Sequence, residues 1–256
     1  MSADVLYDRR FDPRRITIRE EFALRPARND VLDSYTPYAA ATDLARLVAN
    51  KGWEVTGTNS TTALVTYAAG GGITITTAGA AADQMLVGAH VNTVQGRVKN
   101  IDWLTQKELS FEIFLLTGSV VTQAKFFAGF KLTSTPVVAT DDDQIYFRYD
   151  ATTVATAMTF VASRAGTDVT TTLSTDRFAV IAASTAYRLR FDVLANRTVV
   201  ASMAVGNTGN LTPIGVAPLP ALTTGIALLP FFGVEGVTTV AKAITVQYVE
   251  LGKLRV

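Results

Sequence analysis

From Ala186 to Val193 the chain alternates without a slip, with Leu189, Phe191 and Val193 on one side and Arg188, Arg190 and Asp192 on the other. A repeat of two marks a strand with one buried and one wet face. Ala195-Asn196-Arg197 supplies a turn, Thr198 to Val205 supplies a return strand, and Gly206-Asn207 ends it. Beyond a proline-rich crossing, two more runs, 226–234 and 242–250, approach the end of the chain. Upstream the signal recurs at 63–67, 73–76, 85–88, 108–115, 125–132, 144–149 and 158–162, with 167–173 a partner for the last. Neighbouring runs read as hairpin partners, which makes the sheets antiparallel. So many strands predict two packed sheets, since one open sheet of that width curls or splits.

One segment breaks the pattern. Residues 39–50 predict a short helix, with Thr42 as cap, Leu44, Leu47 and Val48 as its apolar stripe, and Asn50-Lys51-Gly52 as its stop. It is expected to plug one end of the sandwich. Pro213, Pro218, Pro220 and Pro230 punctuate the C-terminal third. Proline donates no ladder hydrogen bond, so these positions predict extended chain kept out of a sheet interior. Pro230, inside an apolar run, predicts an edge strand or bulge. An edge there would leave Phe231 and Phe232 to be covered by a neighbouring subunit.

Composition narrows the function classes. Of 256 residues 48% are hydrophobic, ample for a core, and only 18% are charged, against roughly 25% in an average domain. A surface so poor in charge is suited to being covered by partner chains. The net charge of +1 supplies no field for nucleic acid or an anionic membrane. There are no cysteines, so packing and ladder hydrogen bonds must carry the stability. No run reaches the ~18 apolar residues of a membrane span. Met1 to Arg10 lacks the apolar core of an export signal, so the sequons at Asn59, Asn196 and Asn210 are read as turn chemistry. Charge concentrates in residues 1–33, where Tyr7, Arg9, Arg10, Phe11, Arg14 and Arg15 are interleaved with Asp4, Asp8 and Asp12. Arginine suits fixed, bidentate contacts. We therefore read 1–33 as an arm and lead-in whose aromatic and arginine residues bind a partner, an ordinary solvated terminus being the competing reading. Residues 34–256 are read as one sandwich domain, with the first strand-like residues already at Ile16 to Leu24.

The segment order from Phe126 to Glu250 resembles the concanavalin A-like lectin/glucanase jelly roll, in the divergent form found in bacteriophage virion proteins. The likeness is carried by Phe126-Phe127-Ala128-Gly129-Phe130, by Asp141-Asp142-Asp143 leading into Gln144-Ile145-Tyr146-Phe147, and by Tyr187 to Val193 with its hairpin return. Leu229 to Val234 and Ala243 to Val249 complete it. The resemblance implies an all-β, two-sheet antiparallel jelly-roll sandwich with an extended N-terminal arm and one short helix. It implies a capsid decoration (cement) protein on the virion exterior, made in the host cytoplasm. Its partners would be the major capsid protein and copies of itself, as a homotrimer. A head-fibre or tail module that binds a host surface glycan is the alternative.

Catalytic chemistry finds little support. Retaining glucanases of this fold carry Glu-x-Asp-x-x-Glu, which sets two carboxylates ~5 Å apart, and that spacing is absent here. Glu108 and Glu112 share a strand face but lie roughly 13 Å apart. His90 is the only histidine and is read as a turn or interface residue. Asp141-Asp142-Asp143 has the oxygen chemistry for calcium, yet three adjacent residues of a strand cannot face one ion, and an acidic turn is expected. Gly70-Gly71-Gly72 lacks the Lys-Ser/Thr of a phosphate loop and reads as a hairpin. Trp53 and Trp103 have the flat faces that stack on a sugar; core or interface packing is the stronger expectation. The sequence thus predicts no enzyme, no metal and no other cofactor.

Overall fold

The computed structural model describes residues 15–21, 53–68, 71–88, 101–102, 108–131, 143–152, 158–173, 181–206, 209–218 and 227–254. These residues form strands β1 (Arg15–Glu21), β2 (Glu54–Thr56), β3 (Val65–Tyr67), β4 (Ile73–Thr76), β5 (Asp83–Gly88), β6 (Ile101–Asp102), β7 (Leu109–Thr117) and β8 (Ala124–Lys131). They continue with β9 (Gln144–Asp150), β10 (Met158–Arg164), β11 (Thr167–Thr172), β12 (Ala186–Val193), β13 (Thr198–Val205), β14 (Thr212–Pro218), β15 (Ala227–Gly236) and β16 (Ala243–Leu254).

Sheet A runs β14-β13-β12-β7-β16-β4-β3, and sheet B runs β11-β10-β9-β8-β15-β5-β2. Each carries one extra strand on a long central one: β1 on β16 and β6 on β15. All the pairings are antiparallel. The all-β, two-sheet sandwich expected from the sequence is therefore the fold. Hairpins account for only part of it. Strand β7 is flanked by β12 and β16, both distant in sequence, because its chain neighbours β6 and β8 both lie in sheet B.

The inner faces meet in an aromatic core. Phe111 of β7 and Phe191 of β12 stack at 5.3 Å from sheet A. From sheet B, Phe130, Phe147 and Phe160 reach Phe191 edge-on at 5.8, 5.6 and 5.2 Å. Such offset and edge contacts contribute about 0.5–1.5 kcal/mol each beyond the apolar burial. The alternation in β12 places Leu189, Phe191 and Val193 in this core as expected. Its turn closes through the Leu194 and Arg197 amides, which donate to Thr198 O and Leu194 O. The Asn196 side-chain oxygen accepts from the Thr198 amide at 3.0 Å, so this Asn does serve as turn chemistry.

Two expectations about strand position need correction. Strand β15 is no edge: it lies between β8 on one side and β5 and β6 on the other. Pro230 is tolerated there because pairing with β6 ends at Leu228 and pairing with β5 begins at Phe231. The proline thus falls in the gap between two short neighbours, where that side requires no ladder donor. Phe231 and Phe232 are accordingly buried within this chain. The proline-rich crossing is itself partly strand: β14 holds Pro213 and Pro218 and forms an outer edge of sheet A. There proline leaves no ladder incomplete on the open side. Strand β1, inside the stretch read as arm and lead-in, is a full strand of sheet A paired from Arg15↔Leu254 to Glu21↔Tyr248.

Candidate functional site

The outer face of sheet A carries a ladder of charges. Alternation sends Glu112, Arg188, Arg190 and Asp192 outward from β7 and β12. Arg190 grips Asp192, two residues along the same strand, with Nε and Nη2 at 2.9 and 2.8 Å. Its Nη1 also lies 3.5 Å from Glu112 Oε2, and Arg188 Nε lies 3.5 Å from Glu112 Oε1. Tyr248 donates its hydroxyl to Glu112 Oε1 at 2.7 Å and stacks on Phe114. Burial works against the Arg190 charge, but the bond to Asp192 and the nearby Glu112 and Glu250 outweigh it and hold the guanidinium above its ordinary range.

Glu250 stands directly opposite Glu112 in the β16–β7 register. Paired positions on neighbouring strands put Cβ atoms about 4.5–5.5 Å apart. This close pair of carboxylate residues escaped the sequence search, which looked along one strand and not across two separated by more than a hundred residues. Glu112 is enclosed by two guanidinium groups and a phenol, so the arrangement is an ion-pair ladder rather than two carboxylates flanking an open groove.

The outer face of sheet B holds a second apolar cluster: Leu86, Phe127, Tyr146, Val161 and Phe231. Phe231, Gly129 and Tyr146 fall in register across β15, β8 and β9. The glycine lacks a side chain, so Tyr146 and Phe231 meet over it at 5.8 Å. Lys131 Nζ sits 5.6 Å from the centre of the Phe231 ring, a cation–π contact. At the far end of this face Glu235 accepts from Gln84 and from Lys125, each at 2.7 Å. Burial raises the pKa of Tyr146 well above its ordinary value. Arg148 opposes that shift, and the charges of Asp168 and Glu235 add to it.

The residues singled out from sequence fare differently. Trp53 is fully buried and packs against Phe232 at 5.7 Å, which is core packing and no sugar platform. Phe231 and Phe232 belong to opposite faces of β15, one in each apolar cluster. Asp143 is buried, and no group of three His, Cys, Asp or Glu suited to a metal occurs among the described residues. Arg15 opens β1, so it sits in a sheet ladder. Tyr7, Arg9, Arg10, Phe11, Arg14, His90, Trp103, Asp141, Asp142, Pro220 and the helix expected at 39–50 lie outside the described residues. Among those described, the exposed large apolar side chains are Leu116, Val120, Val169, Val205, Val216 and Val240. They are all aliphatic.

No protein-family model and no curated protein matches this sequence. Solved structures do match its fold. A protein of unknown function from Shewanella oneidensis MR-1 aligns with a TM-score of 0.57 at 13% identity, over 94% of this chain and 87% of that one. The lectin UEA-II complexed with galactose aligns at 0.55 and 9% identity, over 93% and 99% of the two chains. An alginate lyase in complex with an alginate trisaccharide aligns at 0.57 and 12% identity, over 93% and 98%. At these identities the likeness is one of architecture: the chain has the concanavalin A-like, lectin-type β-sandwich fold.

Proposed function

We propose that this chain is a non-enzymatic structural protein of a bacteriophage virion, acting as a capsid decoration (cement) protein. It would bind the major capsid protein and copies of itself. The phage setting rests on the resemblance read in the sequence. The observation that favours assembly over sugar binding is the character of the exposed apolar surface. Among the described residues the exposed large apolar side chains are aliphatic, and none of these offers the flat ring face that stacks on a sugar. The outer face of sheet A supports the same reading, because its charges are already fixed by one another and little ordering entropy remains to be lost on docking. Quantitative mass spectrometry of purified particles tests the proposal. A copy number comparable to that of the major capsid protein supports it, and a handful of copies confined to the tail contradicts it.

A second reading, a carbohydrate-binding module at a head-fibre or tail position, is favoured by one observation: the same fold occurs in a lectin complexed with galactose. Binding of the purified chain to a glycan array, abolished by free sugar, would move the balance to that reading.

A further inference from the structure

Each sheet ends on strands with one unpaired side. Among the described residues these are β14, β3 and β1 in sheet A and β11, β2 and β6 in sheet B. An open edge presents a row of unpaired N–H and C=O groups to which another strand can be added, and folded chains normally blunt such edges. Most of these are blunted. β14 carries Pro213 and Pro218, and its ladder shifts register at Ala201/Ser202 of β13. β2 and β3 are three residues long and β6 is two. β11 has six residues without proline, yet it is exposed along nearly its whole length and bears a single charge, Asp168.

β1 is different. Arg15–Glu21 runs for seven residues without proline or register shift, and among the described residues it pairs with β16 alone. Its register sets Ile18 opposite the core residue Leu251 and Arg19 opposite Glu250. The row across the outer face of sheet A therefore reads Arg19, Glu250, Glu112, Arg190. Basic positions thus flank the two opposed carboxylates, and the charge of Arg19 is met within its own chain.

We infer that β1 is the edge through which two copies of this chain join, in one continuous antiparallel sheet. The occupant follows from the order of charges along the strand. A twofold axis normal to the sheet keeps each face continuous, so a residue pairs only with one of the same parity. With the axis at Ile18 all seven positions pair. Arg15 then falls opposite Glu21 of the other copy, and Glu21 opposite its Arg15, two opposite-charge pairs related by the axis. The remaining pairs, Ile16 with Glu20 and Thr17 with Arg19, bring no like charges face to face. A shift of two residues either way shortens the pairing and sets arginine against arginine, Arg15 against Arg19 or Arg19 against its own image. Length and charge therefore select the same register. β11 offers no such choice, since its one charge has no opposite on the strand. The pairing is closed and makes a dimer, where the resemblance in the sequence implied a trimer. The inference deepens the assembly reading above and rests on it for its biological purpose.

Light scattering coupled to size exclusion, on the full chain across a concentration series, reads the association. We expect the mass to rise toward twice the 27.4 kDa of one chain. Glu21→Arg and Arg15→Glu should each weaken the dimer roughly tenfold, because each sets like charges opposite one another twice. Combining the two substitutions exchanges the charges and should restore the wild-type dimer. Within the chain these positions face Tyr248 and Leu254, so neither single variant sets like charges opposite one another across β1 and β16. Asp168→Lys, on the β11 edge, should leave association unchanged. Hydrogen exchange on the wild type gives a readout without mutation, with protection at 15–21 rising with concentration. A chain that stays monomeric throughout, single variants that associate as well as the wild type, or a double variant no better than the singles would overturn the inference. So would dissociation by Asp168→Lys alone. The assembly reading fails separately, by a low copy number on particles, so the two failures can be told apart.

Discussion

Phe191 touches four other phenylalanines drawn from both sheets, so its removal opens a hole at the centre of the sandwich. Phe191→Ala is expected to lose about 3–5 kcal/mol, read from the urea midpoint at unchanged slope; a loss under about 1 kcal/mol would contradict the packing described. Gly129 makes the complementary point. A Cβ there would lie 2.2 Å from Ile145 O and 2.7 Å from Tyr146 Cβ, so even alanine must push β9 away. Gly129→Ala should destabilise by about 1–3 kcal/mol through overpacking, visible as a lower melting temperature, and an unchanged melting temperature would argue against the close approach. Tyr146 carries a pH signature. Burial, the leading cause, raises its pKa above the ordinary value of 10.0, and burial also raises Tyr149. The folded chain thus holds these protons more tightly than the unfolded one. Their contribution is complete below about pH 10 and is lost as pH rises through the folded values. Tyr146→Phe should flatten the alkaline fall in stability, and the same fall in the variant would show that other groups cause it.

At the scale of elements, each sheet is seven strands across, with an eighth filling the row beside its longest strand. On β16 that filler is β1, which occupies 248–254 beyond the reach of β4 at 243–246. Removing residues 1–14 should therefore leave the melting temperature within about 2 °C. Removing 1–21 strips β1 and bares a ladder edge, and a fall of about 5 °C or more, or aggregation, is expected by calorimetry. Equal behaviour of the two truncations would count against β1 as a working strand. This pairing also shows what the sequence could and could not convey. The alternation of β12 and the Asn196 turn were legible because both are local. Pro230 misled because its tolerance depends on where β5 ends and β6 begins, which no local pattern records. The Glu112–Glu250 opposition was hidden for the same reason, since register between strands so far apart is fixed by the whole sandwich. The core fate of Trp53 was legible; its contact with Phe232 was not.

Across the whole molecule the outer face of sheet A is a ladder of ion pairs, whereas that of sheet B is an apolar cluster with Glu235, Lys125 and Gln84 joined at its end. A decoration protein works by mass action: it binds the assembled shell and not the dissociated subunits, and so stabilises the former. Uncharged loops such as Thr77 to Ala82 and Gly118 to Gln123 are plain in the sequence. Only the topology shows that they gather at one place. The most direct test of the account is the heat stability of phage heads lacking this chain, measured before and after the purified chain is added back. We predict that the depleted heads release their contents at a lower temperature and that addition restores the original value. Heads equally stable with and without the chain would contradict a cementing role.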